Sequence, residues 1–319
     1  MKVLLSFIIA FIIPIFLTPF FIKIQKKYRI GQRIRQEGPD LHQHKSGTPT
    51  MGGLMIYMAV AVALLFFQSK DINVYIIFFL LISFGIVGFL DDFIKNYKER
   101  SLGLKARTKI LLQLIICVLF LYWHSQHSSF NQNILIPFLH KSFYLQKIFY
   151  IPFVILVFIS STNAVNLTDG LDGLATGLMI IALFAFAVIA FFQKQTEILF
   201  FIIILISACA GFLIFNYHPA RIFLGDVGSL GLGGALAGIA ILTGTELYLI
   251  LIGGVFVAET LSVIILVLSI KYRKKPIFRM SPVHHHFELL KWREKKIVSL
   301  FWGTGVILAI LGIIAYPFS

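Results

Sequence analysis

Long apolar runs dominate this chain and leave little freedom in what it can fold into. Ten stretches are apolar and close to long enough to cross a bilayer: 3–22, 50–67, 72–90, 110–124, 148–163, 174–192, 197–215, 228–245, 246–270 and 297–317. A spanning helix needs about 20 mostly apolar residues, since lipid offers the backbone no hydrogen-bonding partner. The fourth and fifth runs are short, and only Thr245–Glu246 separates the eighth from the ninth. Pro14 and Pro19 fall inside the first run, where neighbouring helices can satisfy the freed carbonyls. That run exceeds a signal-peptide apolar core and lacks a small-residue cleavage site, so it reads as a retained span. The expected fold class is an all-α integral membrane protein of about ten transmembrane helices, with 1–319 forming one polytopic domain.

Composition agrees. Hydrophobic residues make up 58% of the chain and charged residues 13%, against about 45–50% and about 25% in soluble domains. A soluble enzyme, a disordered chain and a disulfide-rich secreted module are excluded. Cys117 and Cys209 sit inside apolar runs and read as small buried hydrophobes.

The formal charge of +14 is no sign of a nucleic-acid partner, because membrane proteins collect Lys and Arg in cytoplasmic loops. With ten spans, the connections 23–49, 91–109, 164–173, 216–227 and 271–296 share one side and hold 23 of the 28 basic residues. That side is expected to be the cytoplasm, with both termini outside. The same side holds ten of the 14 acids, among them Glu37, Asp40, Glu99 and five aspartates at or near span ends. The positive-inside rule does not predict those aspartates.

Asp91 and Asp92 end the third run in GFLDDFIK. Two adjacent carboxylates there are costly unless they meet cations or a metal. Neighbours on a helix point about 100° apart, so the two are expected to do different jobs. Lys95 can pair with Asp91 one turn away, and alone the motif is equally a solvated helix end. In NAVNLTDGLDGLATG (163–177), Asn163, Asn166, Asp169 and Asp172 recur every third residue. Such a stripe follows one side of a tight 3₁₀-like turn, and Gly170 and Gly173 argue against continuous helix. The connection contains no Lys or Arg, so its role is not topology. In NYHPARIFLGDVGSLGLGG (216–234), Asp226 lies between Gly225 and Gly228. It reads either as an oxygen ligand on tight backbone or as the N-cap of a helix starting near Ser229. In SPVHHHFE (281–288), an extended strand would put His284 and His286 on one side and His285 opposite. No zinc-ligand spacing is present, so these histidines are expected to meet phosphate or sugar, or carry a proton. LHQHKSGTPTMGG (41–53) presents Lys45, Thr48 and Thr50 without Walker A spacing. Together the motifs describe one membrane-surface site for a polyanion and a divalent ion, serving one soluble and one lipid substrate.

GTPTMGG (47–53), FLDDFIK (89–95), NAVNLTDGLDGLATG (163–177), FLGDVGSL (223–230) and MSPVHHHFEL (280–289) together resemble the bacterial phospho-N-acetylmuramoyl-pentapeptide transferases. These belong to the polyprenyl-phosphate N-acetylhexosamine-1-phosphate transferase superfamily. The resemblance implies a Mg²⁺-dependent phosphoglycosyl transferase of the bacterial inner membrane, homodimeric, with its active site at the cytoplasmic face. Its substrates would be UDP-N-acetylmuramoyl-pentapeptide and undecaprenyl phosphate, and its products UMP and the first lipid-linked peptidoglycan precursor. By motif, Asp226 is the expected metal ligand, and Asp91, Asp92, Asp226 and His284 are the expected catalytic residues. Asp91 would deprotonate or orient the lipid phosphate, with Asp92 assisting. Asn166, Asp169 and Asp172 are expected on the nucleotide side, with Phe223 as a platform for uracil. Lys45, Thr50, His285 and His286 are expected at phosphates and sugar, with Lys95, Asn163 and Asn216 also contacting substrate. Two details depart from the family pattern: LKWREKK after the histidines, where Gly before and Pro after the Trp are expected, and His44 beside Lys45 in place of a second basic residue.

Two other readings stand beside this one. A superfamily member with a different UDP-sugar shares the aspartates but not the histidine run. A secondary transporter would carry its ionisable groups at the bilayer midplane in repeated, broken helices. Here only Glu259 is deep in a span, no internal repeat is visible, and a structural role for that acid is favoured.

Overall fold

The computed structural model describes residues 2–28, 31, 45–98, 102–127, 132–139 and 141–317. Glu37, Asp40, His44 and Glu99 lie outside the described residues. Twelve helices follow in order: α1 Lys2–Lys27, α2 Gly53–Phe67, α3 Ile72–Tyr97, α4 Ala106–His127, α5 Lys147–Thr168, α6 Leu174–Phe192, α7 Thr196–Asn216, α8 Gly225–Leu242, α9 Tyr248–Ile252, α10 Gly254–Arg273, α11 Val283–Leu289 and α12 Glu294–Ile314. Nine of these, among the described residues, are long and apolar enough to cross a membrane.

Each expected span has a helix, with corrections at the edges. The second is only 15 residues long, about 22 Å against a hydrocarbon core of about 30 Å. It starts at Gly53 because the residues before it are tied to the segment that leads into α8: Phe223 N–H donates to Pro49 O, and Gly52 and Gly53 N–H donate to Phe223 O and Leu224 O, with Met51 turned at φ +61°. The fourth and fifth expected spans were cut short at polar residues. The helices run on to Ala106 and Thr168 because Lys109 and Asn166 face one another rather than lipid. The ninth span breaks at Gly253 into α9 and α10. The all-α expectation also missed one hairpin, β1 Asn133–Ile136 and β2 Lys141–Tyr144, paired antiparallel with Asn133 opposite Tyr144.

α8 is the axis of the bundle and is buried almost throughout. Its glycines let neighbours approach closely: a side chain on Gly234 would strike Phe84 of α3, and one on Gly233 would strike the α5 backbone at Thr162. Small residues at helix interfaces are the usual means of association in lipid, where burial of apolar surface gives no drive. α1 packs on α2 and α7, and α6 on α7 and α12, completing the frame.

One end of this frame gathers the polar motifs. The C-terminal ends of α1, α3 and α5 and the N-terminal ends of α4, α8 and α12 meet there through Gln25, Asp91, Asn166, Lys109, Asp226 and Glu294. At the opposite end Lys2 reaches Gln68, and Phe138 N–H donates to Ala315 O. The start of α1 and the end of α12 thus lie away from the polar cluster.

Candidate active site

The last two turns of α3 supply Asp91, Asp92 and Lys95, and the first turn of α8 supplies Asp226. All three aspartates offer carboxylate oxygens lying within 4.8 Å of one another. Lys95 Nζ stands among them, 2.6 Å from Asp91, 3.5 Å from Asp92 and 3.0 Å from Asp226. Lys109, in the first turn of α4, lies 2.9 Å from Asp226 Oδ2. The three carboxylates stand against two ammonium groups, and their oxygens are hard donors of the kind Mg²⁺ takes.

The expected division of labour between the adjacent aspartates has a structural counterpart. Leu104 N–H donates to Asp91 at 2.9 Å, and Val227 N–H donates to Asp92 at 3.2 Å. Each is therefore steered by a different backbone while both face Lys95. Asp226 is not an N-cap, because α8 already starts at Gly225 and not near Ser229. Gly225 has φ +77°, and a Cβ there would stand 2.6 Å from Asp92 Oδ2. Only glycine lets the chain turn into α8 this close to that carboxylate.

Asn166 sits in the last turns of α5, so the stripe begins as α-helix rather than as a 3₁₀-like turn. Its Nδ2 donates to Asp226 Oδ1 at 2.9 Å and to Ser229 Oγ at 2.9 Å. Helix gives way to turn at Asp169, where the glycines begin. Burial, then the charges of Asp226 and Asp92, push the Asp169 carboxyl up to about 8. Asp172 behaves oppositely. Burial raises it, but Lys45 at 2.7 Å, the Ala220 N–H and His218 together hold it below the usual carboxylate range.

These groups line a cavity of about 760 Å³. Of the residues singled out from sequence, Lys45, Thr50, Asp91, Asp92, Lys95, Asn166, Asp169, Asp172, Asn216, Phe223, Asp226 and His285 line it. Asn163, His284 and His286 do not. Asn163 faces α4, donating to Gln113 Oε1 at 3.0 Å. The histidine run is helical rather than extended, because α11 forms directly after Pro282. Successive rings on a helix point in different directions. His284 is fully buried with Nδ1 3.1 Å from Glu259 Oε1. His285 turns toward the cavity and pairs with Glu288, and His286 Nδ1 accepts the Arg279 N–H. Glu259 thus has a partner between helices, as the structural reading of that acid anticipates.

Sequence reasoning missed Lys109 and Gln25. Lys109 is one of several basic residues near a span end, and its conformity with the positive-inside rule hides it. Gln25 lies in the last turn of α1, where its amide forms two bonds with the Thr50 backbone: Nε2 donates to Thr50 O at 2.8 Å and Thr50 N–H donates to Oε1 at 2.9 Å. A second concavity, apolar and about 310 Å³, lies between α5, α8 and α10 and includes Phe153, Val165, Leu236 and Phe256.

Two family models match the chain. The family model "Glycosyl transferase family 4" matches residues 74–244, and "Phospho-N-acetylmuramoyl-pentapeptide-transferase signature 1" matches residues 45–56. Proteins named phospho-N-acetylmuramoyl-pentapeptide-transferase are similar over nearly the whole chain. That of Geobacillus sp. (strain WCH70) is 47% identical over 97% of this chain and 96% of its own. That of Halalkalibacterium halodurans is 48% identical over 97% and 96%, and that of Bacillus velezensis 44% over 98% and 97%. A membrane bundle that brings three span-end aspartates and two lysines into one cavity, with this identity along its length, belongs to the phospho-N-acetylmuramoyl-pentapeptide-transferase family.

Proposed function

We propose that the protein transfers phospho-N-acetylmuramoyl-pentapeptide from its UDP-linked form to undecaprenyl phosphate, releasing UMP and forming the first lipid-linked peptidoglycan precursor. The observation that carries this reading is the convergence of Asp91, Asp92 and Asp226 with Lys95 and Lys109 at the ends of apolar helices, in a chain of this family. Phosphoryl transfer asks little of a protein beyond positioning and neutralising charge, and this cluster is built for both. A cavity at a helix end serves a soluble nucleotide and a lipid headgroup together. The basic loops that flank it support a cytoplasmic position, with the start of α1 and the end of α12 outside; a homodimer in the bacterial inner membrane is inferred from the family resemblance alone.

The roles follow from the contacts. Asp226, with Asp91 and Asp92 beside it, would hold Mg²⁺, which when bound neutralises the diphosphate and the departing UMP. Lys95 holds the three carboxylates together. Asp91, steered by the Leu104 N–H, takes any proton from the lipid phosphate and orients it. A lipid phosphate oxygen then attacks the sugar-linked phosphorus, and the bond to the UMP oxygen breaks. Asn166, Asp169, Asp172, Asn216 and Phe223 form the nucleotide side, and Lys45, Thr50 and His285 the phosphate and sugar side. The apolar groove between α5 and α10 takes part of the polyprenyl chain. Attack is direct, and a phospho-enzyme trapped at Asp91 or Asp92 would sink that step.

The test is UMP release by purified protein in detergent with the two substrates supplied singly and together. Release that requires both is expected. Release with UDP-N-acetylglucosamine but none with the muramoyl-pentapeptide donor would assign another branch of the superfamily.

A further inference from the structure

Two side chains absent from the expected site stand directly behind its wall. Glu294 is in the first turn of α12, and His218 is in the turn between α7 and α8. Neither lines the cavity, whereas Lys45 and Asp172 do. Glu294 Oε1 accepts from Lys45 Nζ at 2.6 Å and from the Asp172 backbone N–H at 2.7 Å. His218 Nδ1 lies 3.0 Å from Asp172 Oδ2 and 3.2 Å from Glu294 Oε2. Four segments far apart in sequence are joined in this one cluster.

The arrangement is more than a convenient ion pair. A lysine ammonium sits on a flexible four-carbon stem, and one carboxylate alone leaves it free to swing. Here two carboxylates hold it from different directions, with the Lys45 side chain only 10% exposed. Glu294 is favoured where it stands, because the start of α12 carries partial positive charge. The same Glu294 oxygen fixes the backbone of Asp172, so one side chain sets both cavity residues. Asp172, His218 and Glu294 have the spacing to hold a cation, but Lys45 already supplies one among them. The cluster clamps Lys45 between two carboxylates.

We propose that Glu294 and His218 are positioning residues for the donor substrate: they hold Lys45 and Asp172 in the cavity wall against a nucleoside-diphosphate-linked sugar without touching it. This rests on the functional reading above, which assigns Lys45 and Asp172 to the donor. Losing the charge at Glu294 should therefore move donor recognition and leave the lipid substrate alone.

The test is steady-state UMP release by the full-length protein in detergent, varying donor and undecaprenyl phosphate separately, for wild type, Glu294→Gln and His218→Gln. A charge-assisted hydrogen bond contributes about 1.5–3 kcal/mol, so Glu294→Gln should raise the donor KM about tenfold or more. The lipid KM and kcat should stay within about twofold, and His218→Gln should raise the donor KM by a smaller factor in the same pattern. A general structural defect would lower kcat or move both KM values, and that result overturns the proposal. If Glu294→Gln does not fold, His218→Gln decides, since its side chain is the more exposed of the two. If wild type turns over but both variants keep its donor KM, the positioning role fails alone. If wild type releases no UMP with both substrates, the functional reading fails with it.

Discussion

Gly170 gives the sharpest structural prediction. It follows Asp169 in the turn that lines the cavity, and it packs against the buried ring of His284. A Cβ at Gly170 would overlap His284 Nε2. The ring cannot retreat, because it is fully buried and Nδ1 is tied to Glu259 at 3.1 Å. The Gly170 backbone is not in the positive-φ region, so alanine meets a steric obstacle and no conformational one. Overpacking of this kind costs about 1–3 kcal/mol. Such a loss lowers Tm by about 2–4 °C per kcal/mol in domains of 150–250 residues, so Gly170→Ala should fall by at least about 2 °C. The assay is thermal unfolding in detergent of Gly170→Ala, His284→Ala and the double variant. In the His284→Ala background the added methyl fills vacated space, so its cost should vanish and the two changes should couple by about 1 kcal/mol or more. Additive losses, or a Gly170→Ala protein as stable as wild type, would refute the claim that His284 acts by packing behind the turn.

Three further outcomes follow from the site. Asp172 is held below the usual carboxylate range, so its contribution is present above about pH 4 and fades as pH falls through the folded-state value. The Tm deficit of Asp172→Asn should therefore be full at pH 7 and shrink on acidification, measured by thermal unfolding across pH. Asp169, pushed up to about 8, works in the other sense: its ionisation costs stability increasingly from about pH 4 upward. In the ligand-free protein Asp169→Asn should raise Tm relative to wild type most above pH 8, with the gain disappearing near pH 4. Gly225→Ala forces a side chain into a φ of +77° and against Asp92 Oδ2; UMP release should drop at least about tenfold, roughly 1.4 kcal/mol of barrier, while the protein still elutes as a folded species.

Much of this was legible in the sequence because bilayer and bundle impose local rules. Apolar length located a helix at every expected run, nine of them, among the described residues, long enough to cross, and the aspartates at span ends stood out because lipid makes such positions costly. The edges were not legible where a polar residue extends a helix into protein rather than lipid, as Asn166 does at the end of α5. The conformation of the histidine run is not legible because three identical residues carry no period; the Pro282 that precedes α11 is the available signal. Gln25, Lys109, His218 and Glu294 were invisible for a different reason. Lys109, His218 and Glu294 each act through a partner at least 46 residues away: Lys109 with Asn166 and Asp226, His218 with Asp172, and Glu294 with Lys45. Gln25, 25 residues from Thr50, is hidden in the same way. No local pattern encodes such pairings.

Asp91, Asp92 and Asp226 are proposed to form one metal-dependent transfer site. The most direct measurement is UMP release from both substrates as Mg²⁺ is titrated, in wild type and in Asp226→Asn, with thermal unfolding confirming that both proteins are folded. Release should rise with Mg²⁺ in wild type and fall by at least about a hundredfold in the variant, roughly 2.7 kcal/mol of transition-state stabilisation. A folded Asp226→Asn protein that releases UMP at the wild-type rate with the same Mg²⁺ dependence would contradict that proposal.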